Sequence, residues 1–127
     1  MQLRTLDHIN VRTNNLDAMV VWYIDILGMS RGDRPNFPFP GAWMYVGSEP
    51  YVHLVEVDDP GTGSEVPLKM EHFAFSATGR AEFEARLKAA GERFECVEVL
   101  DINTIQYNIW DPDGNHVHID FHLDEQA

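Results

Sequence analysis

A chain of 127 residues is long enough for one domain with a real core, burying about two-thirds of the surface its unfolded form exposes. With 21 acidic residues against 9 basic ones and a net charge of −12, it has no basic footprint for nucleic acid or for an anionic membrane surface. The single cysteine, Cys96, excludes an internal disulfide framework. Neither a secretory signal nor an apolar run of membrane-spanning length is seen, so the expectation is a cytoplasmic protein.

In chain order, Leu6 to Val11 reads as a strand. Leu16, Met19, Val20, Tyr23, Ile24 and Leu27 then recur at spacings of three and four, the mark of a helix with one buried face. Asn14 or Asn15 can cap its start, and Gly28 can take the left-handed turn after its end. Strands are expected near Ser30 to Arg34, Trp43 to Val46 and Tyr51 to Val57, followed by a Pro60-Gly61 turn and a polar link to Pro67. The plan then begins again. A strand from Met70 to Ser76 precedes a helix from about Gly79 to Ala90 that buries Phe83, Leu87 and Ala90, with Glu82 and Arg86 paired on its wet face. Strands near Phe94 to Val99, Thr104 to Trp110 and Val117 to Phe121 complete the second half. The expected fold is α+β: two βαβββ modules, 1–62 and 68–123, in one domain, forming a curved, cup-shaped mixed sheet with the helices outside.

The repeat places histidines at matching points. His8 opens the first strand and His53 lies on the fourth; His72 opens the fifth and His118 lies on the eighth. Because side chains alternate along a strand, His8 and Asn10 oppose Ile9 and Val11, and His53 opposes Val52 and Leu54. His116, His118 and Asp120 likewise oppose Val117, Ile119 and Phe121. All four histidines therefore belong to the face away from the helices. Four imidazoles gathered on one cavity wall suit a divalent metal. A lone strand histidine is by contrast more often a surface or hydrogen-bonded group, which is the plainer reading for His116 and His122.

Taken together and in order, Asp7-His8-Ile9, Trp22-Tyr23 through Leu27-Gly28-Met29, Val52-His53-Leu54-Val55-Glu56, Glu71-His72-Phe73-Ala74-Phe75 and Asp111-Pro112-Asp113-Gly114-Asn115 resemble a known family. The chain looks like a single-domain member of the vicinal oxygen chelate superfamily, the glyoxalase, bleomycin-resistance and extradiol-dioxygenase group. That resemblance implies one metal ion held at the inner face of the first, fourth, fifth and eighth strands, at His8, His53, His72 and His118. It is far less specific for the reaction, because the superfamily hosts isomerases, epimerases, ring-cleaving oxygenases, thiol transferases and metal-free binding proteins.

One departure matters. Most relatives carry Glu where His118 stands, and many glyoxalases also carry Glu where His53 stands. Neutral imidazoles leave a divalent ion its full charge, which favours an anionic oxygen, but they remove a carboxylate that can shuttle protons. A two-His-one-carboxylate iron site would need Asp120 as a ligand. His116 and Asp120, on the face of His118, are the candidate acid and base. Four imidazoles close a tetrahedral Zn site but leave two positions open on six-coordinate Ni, Co, Fe or Mn. The leading expectation is a metal-dependent enzyme of lyase, isomerase or dioxygenase type that chelates two neighbouring oxygens of a small substrate. The alternative is a metal-free protein that sequesters a flat small molecule, as bleomycin-resistance proteins do. A homodimer is expected for a half-cup with open strand edges.

Four smaller expectations remain. Arg12, Arg31 or Arg34 can receive a substrate carboxylate. The Phe37-Pro38-Phe39-Pro40-Gly41 stretch with Trp43 is a stiff loop packed on the core or an aromatic lip. Trp22, Trp110 and Cys96 are read as buried. The Asp111-Pro112-Asp113-Gly114 run is read as a tight turn without chemistry.

Overall fold

A computed structural model describes residues 1–61 and 68–125. The link running to Pro67 lies outside the described residues. The chain divides into two compact units, Met1–Thr62 and Gly63–Ala127, and each is a βαβββ module.

The first unit runs β1 (Ile9–Thr13), α1 (Leu16–Asp25), β2 (Ser30–Gly32), β3 (Gly41–Val46) and β4 (Glu49–Glu56), with strand order β1-β4-β3-β2. β1 lies parallel to β4, and the other neighbours are antiparallel. The first strand starts at Ile9 and not at Leu6, because pairing with β4 begins at Ile9 opposite Val52. Val52, Leu54, Ala42 and Met44 are buried on one face, against which α1 packs. Leu16, Met19, Val20 and Tyr23 are buried as the spacing requires; Ile24 is 39% exposed, and Trp22 and Ile26 fill the interior in its place. Asn15 occupies the N-cap position but makes no side-chain cap bond. The buried Thr13, two residues earlier, fixes the approach to the helix by accepting the Asn15 N–H on Oγ1 at 2.9 Å. Gly28, at φ 70°, closes the helix, with the Met29 N–H reaching back to the Tyr23 carbonyl at 3.1 Å.

The second unit repeats the order with β5 (Phe73–Ser76), α2 (Arg80–Ala90), β6 (Glu95–Val99), a 3₁₀ turn (Leu100–Ile102), β7 (Thr104–Trp110) and β8 (His116–His122), arranged β5-β8-β7-β6. Phe83 of α2 meets Tyr107 and Phe121 at ring-centroid distances of 5.8 Å, and Leu87 is fully buried. Arg86 pairs with Glu82 at 3.1 Å on the wet face. Three expectations fail here. Ala90, the last residue of α2 before the left-handed Gly91, is exposed. Cys96 is exposed on the edge strand β6. Trp110 is only half-buried, because it lies on the face of β7 away from α2. Among the described residues no helix is long and apolar enough to cross a membrane.

The contrast between two helix positions is measurable. Leu87→Ala should lower unfolding stability by about 2–5 kcal/mol, whereas Ala90→Ser should stay within about 0.5 kcal/mol. Urea titration monitored by circular dichroism checks both.

Candidate metal centre and ligand cleft

In the first unit, strand pairing sets the site. His53 on β4 is registered with Asn10 of β1 on one side and with Trp43 of β3 on the other. His8 precedes β1 and shares the alternation of Asn10, so its ring reaches His53: the two stack at 3.9 Å, 10° from parallel. Trp43 stacks on His53 from the β3 side, also at 3.9 Å and 10°. His53 donates from Nε2 to the Pro50 carbonyl at 3.0 Å, which makes Nδ1 its lone-pair nitrogen. Asp7 accepts from His8 Nδ1 at 2.6 Å and leaves Nε2 as the lone-pair nitrogen there. Burial holds the His53 pKa below the ordinary imidazole value, and the neighbouring His8 adds to the shift. The hydrogen bond from His8 holds the Asp7 carboxyl below its usual range.

A cleft of about 390 Å³ opens beside these rings, walled by Asp7, His8, His53, Trp43, Phe37 and Phe39, with Arg34 at its side. Phe37 and Phe39 stack at 5.1 Å and are each 41% exposed, so this stretch forms the lip of the cleft and not core packing. Of the three candidate arginines only Arg34 lines the cleft. Arg31 donates to the Gly41 carbonyl at 3.2 Å, and Arg12 is exposed on β1.

The second unit builds the same device. His118 on β8 is registered with Ala74 of β5 and Asn108 of β7. His72, which stands before β5 as His8 stands before β1, stacks on His118 at 3.8 Å and 11°. Glu71 bonds His72 Nδ1 through one oxygen and His116 Nδ1 through the other, the latter at 3.1 Å. His116 Nε2 donates to Asn108 Oδ1 at 2.8 Å, an orientation fixed because Asn108 Nδ2 donates to the Glu95 carbonyl at 3.0 Å. Trp110 covers His116 at 5.2 Å, and the Arg93 guanidinium sits 3.6 Å from the Trp110 ring centre. His72, His116 and His118 each present a ring nitrogen within 4.8 Å of the others. Both nitrogens of His116 are already hydrogen-bonded, so within this cluster His72 and His118 hold the free donor atoms. The buried Nδ1 of His118 and Oδ1 of Asp120 have no hydrogen-bond partner. Among the described residues the Trp22 Nε1 is a third such atom, in the first unit; the two on β8 share one strand face, where a further polar or ionic group would satisfy both. Burial pushes the His118 pKa down, with His72 and His116 adding to it, and pushes the Asp120 carboxyl up. His122 is exposed, with Asn103 at 3.2 Å from its Nδ1.

In the second unit the His72, His116 and His118 cluster could hold a divalent ion. Imidazoles bind metal only when neutral, and lowered pKa values at His53 and His118 keep protons from competing near pH 7. Sequence reasoning missed Asp7 and Glu71 as orienting groups, although an acid immediately before a strand-opening histidine occurs in both modules. It also missed Asn108, which shares β7 with a second amide, Gln106, so the strand's sequence does not single it out. The Asp111 turn is as expected: its carboxylate accepts the Asp113 and Asn115 N–H groups at 3.0 and 2.9 Å.

Two βαβββ modules, each with a histidine just before its first strand and another on its last, recur in this chain. The chain belongs to the Glyoxalase/Bleomycin resistance protein/Dioxygenase superfamily, whose model matches residues 5–119. Among solved structures it is similar to a Bacillus anthracis protein assigned to the glyoxalase family, with TM-score 0.78, 18% identity, and coverage of 96% of this chain and 98% of the other. A glyoxylase/bleomycin resistance protein/dioxygenase domain from Frankia sp. EAN1pec gives TM-score 0.77 at 21% identity, covering 95% and 99%. The fosfomycin resistance protein FosX from Listeria monocytogenes gives 0.72 at 14%, covering 94% of both chains. No curated protein matches the sequence.

The lowered imidazole pKa values have a signed consequence. His53 and His118 bind protons more weakly folded than unfolded, so between those two values the unfolded chain takes up protons that the folded chain refuses. Stability of the metal-free protein is therefore fully present above the unfolded value of about 6.5 and declines as pH falls below it. Urea midpoints measured from pH 7.5 down to 5 should decline, and His118→Gln should flatten the decline.

Proposed function

We propose that the protein is a metal-dependent enzyme whose ligands are His8, His53, His72 and His118, acting on a small substrate with two neighbouring oxygens. The observation that carries this is the buried, unpartnered Nδ1 of His118 within the cluster of His72, His116 and His118. The matching stacked pair His8 and His53 in the first unit supports it. A divalent ion of the Ni, Co, Fe, Mn or Zn group held by these residues would supply Lewis acidity, chemistry that would suit an isomerase, lyase or ring-cleaving dioxygenase. Asp7 and Glu71 hold the His8 and His72 rings with Nε2 free. Glu71 and Asn108 hold His116 in place, where it can exchange a proton with substrate. Asp120, raised toward its neutral form by burial, is the second proton carrier. The aromatic cleft with Arg34 is the observation that favours the second reading, a metal-free binding protein that sequesters a flat molecule.

Elemental analysis separates the two. After incubation with Ni, Co, Mn, Fe and Zn and removal of excess, the protein should hold about one ion per site, His72→Ala and His118→Ala should lose it, and His122→Ala should keep it. Less than about a tenth of an ion per chain moves the assignment to the binding protein.

We also propose a homodimer, since each four-stranded sheet ends in two edge strands. Sedimentation at micromolar concentration should give twice the 14.5 kDa chain mass; a species of 14.5 kDa alone refutes it.

A further inference from the structure

We infer that the cleft of the first unit is built for a planar aromatic carboxylate, with Arg34 receiving the carboxylate and the rings of Trp43, Phe37 and Phe39 receiving the aromatic plane. The inference deepens the reading above and rests on it for the chemistry that follows binding; the binding step needs only this unit.

Arg34 carries the argument. In a chain of net charge −12, no carboxylate pairs with its guanidinium among the described residues. The acid on the cleft wall, Asp7, is bonded to His8. Arg34 Nη2 donates instead to the Phe39 carbonyl at 2.9 Å. A guanidinium has five N–H donors in a planar fork, so one bond to a carbonyl leaves an edge that matches the two oxygens of a carboxylate. Its charge also reaches His53, where it helps hold the imidazole neutral.

The guanidinium is also held in place. Its central carbon lies 5.1 Å from the ring centres of both Phe37 and Phe39. It fills a space that only glycine leaves, because a Cβ on Gly41 would stand 2.9 Å from Arg34 Nη2 and 2.4 Å from the Leu54 carbonyl. The loop bearing it is anchored at both ends: Tyr45 Oη donates to the Asp33 carbonyl at 2.5 Å, and the Glu56 N–H to the Pro40 carbonyl at 3.0 Å. Pro35, Pro38 and Pro40 restrict the backbone between. A cation fixed before the ligand arrives loses little entropy on binding, and the exposed, nearly parallel Phe37 and Phe39 rings favour a flat partner.

Isothermal titration of the full chain, stripped of metal by a chelator, tests this with naphthoate, neutral naphthylmethanol and cyclohexanecarboxylate as probes. Naphthoate should bind at least about tenfold more tightly than either analogue, and Arg34→Gln should weaken it about tenfold while Arg12→Gln leaves it unchanged. Equal affinity of the unaltered chain for naphthoate and naphthylmethanol overturns the proposal, whatever the behaviour of the variants. So does an unchanged naphthoate affinity in folded Arg34→Gln. Naphthoate selectivity without metal uptake would sustain this inference and refute the metal reading; metal uptake without selectivity would do the reverse.

Discussion

Parallel pairing of the first and last strand of each module is the constraint on which the rest depends. It carries His8 to His53 across 45 residues of chain and His72 to His118 across 46. The helix is the means: a strand can return parallel to its start only after a long connection, and α1 or α2 with two antiparallel strands supplies it. In both units the histidine standing before the first strand is offset from direct registry, Asn10 facing His53 and Ala74 facing His118.

Stacked imidazoles impose an electrostatic condition. Two protonated rings at 3.8–3.9 Å would repel, and burial makes that repulsion harder to screen. The structure meets the condition on both sides of each stack. The inner rings, His53 and His118, are held neutral by burial, and the outer rings, His8 and His72, each bond to an adjacent carboxylate. A neutral inner ring keeps one nitrogen lone pair, which is what a metal ligand requires.

Much of this was legible in the sequence because two periodicities coincide with an internal repeat. Apolar residues three and four apart give the helices, alternation gives the strands, and the repeat tells which histidines correspond. Legibility ended where packing depends on neighbours distant in sequence. Cys96 has apolar company in its own strand, yet β6 is an edge and leaves it exposed; Ala90 continues the helical stripe by spacing, yet is exposed at the end of α2. Asn108 reads as one of several polar residues on β7, with Thr104 and Gln106, until its amide is seen joining the Glu95 carbonyl to His116. Arg34 was one of three equivalent arginines until Gly41 and the two phenylalanine rings gave it a seat.

The two modules keep the same histidine device and differ in what surrounds it. The partner that β3 places beside His53 is Trp43, continuing into an aromatic cleft with a fixed cation; the partner that β7 places beside His118 is Asn108, continuing into hydrogen bonds with His116 and Glu71. Flat apolar walls and a guanidinium recognise a ligand but move no protons. Imidazole, amide and carboxylate groups held in one network, with Asp120 raised toward its neutral form beside them, suit proton exchange and offer little apolar surface. On the proposed reading, the surroundings that Trp43 opens in the first module would serve substrate recognition, and those that Asn108 joins in the second would serve proton exchange.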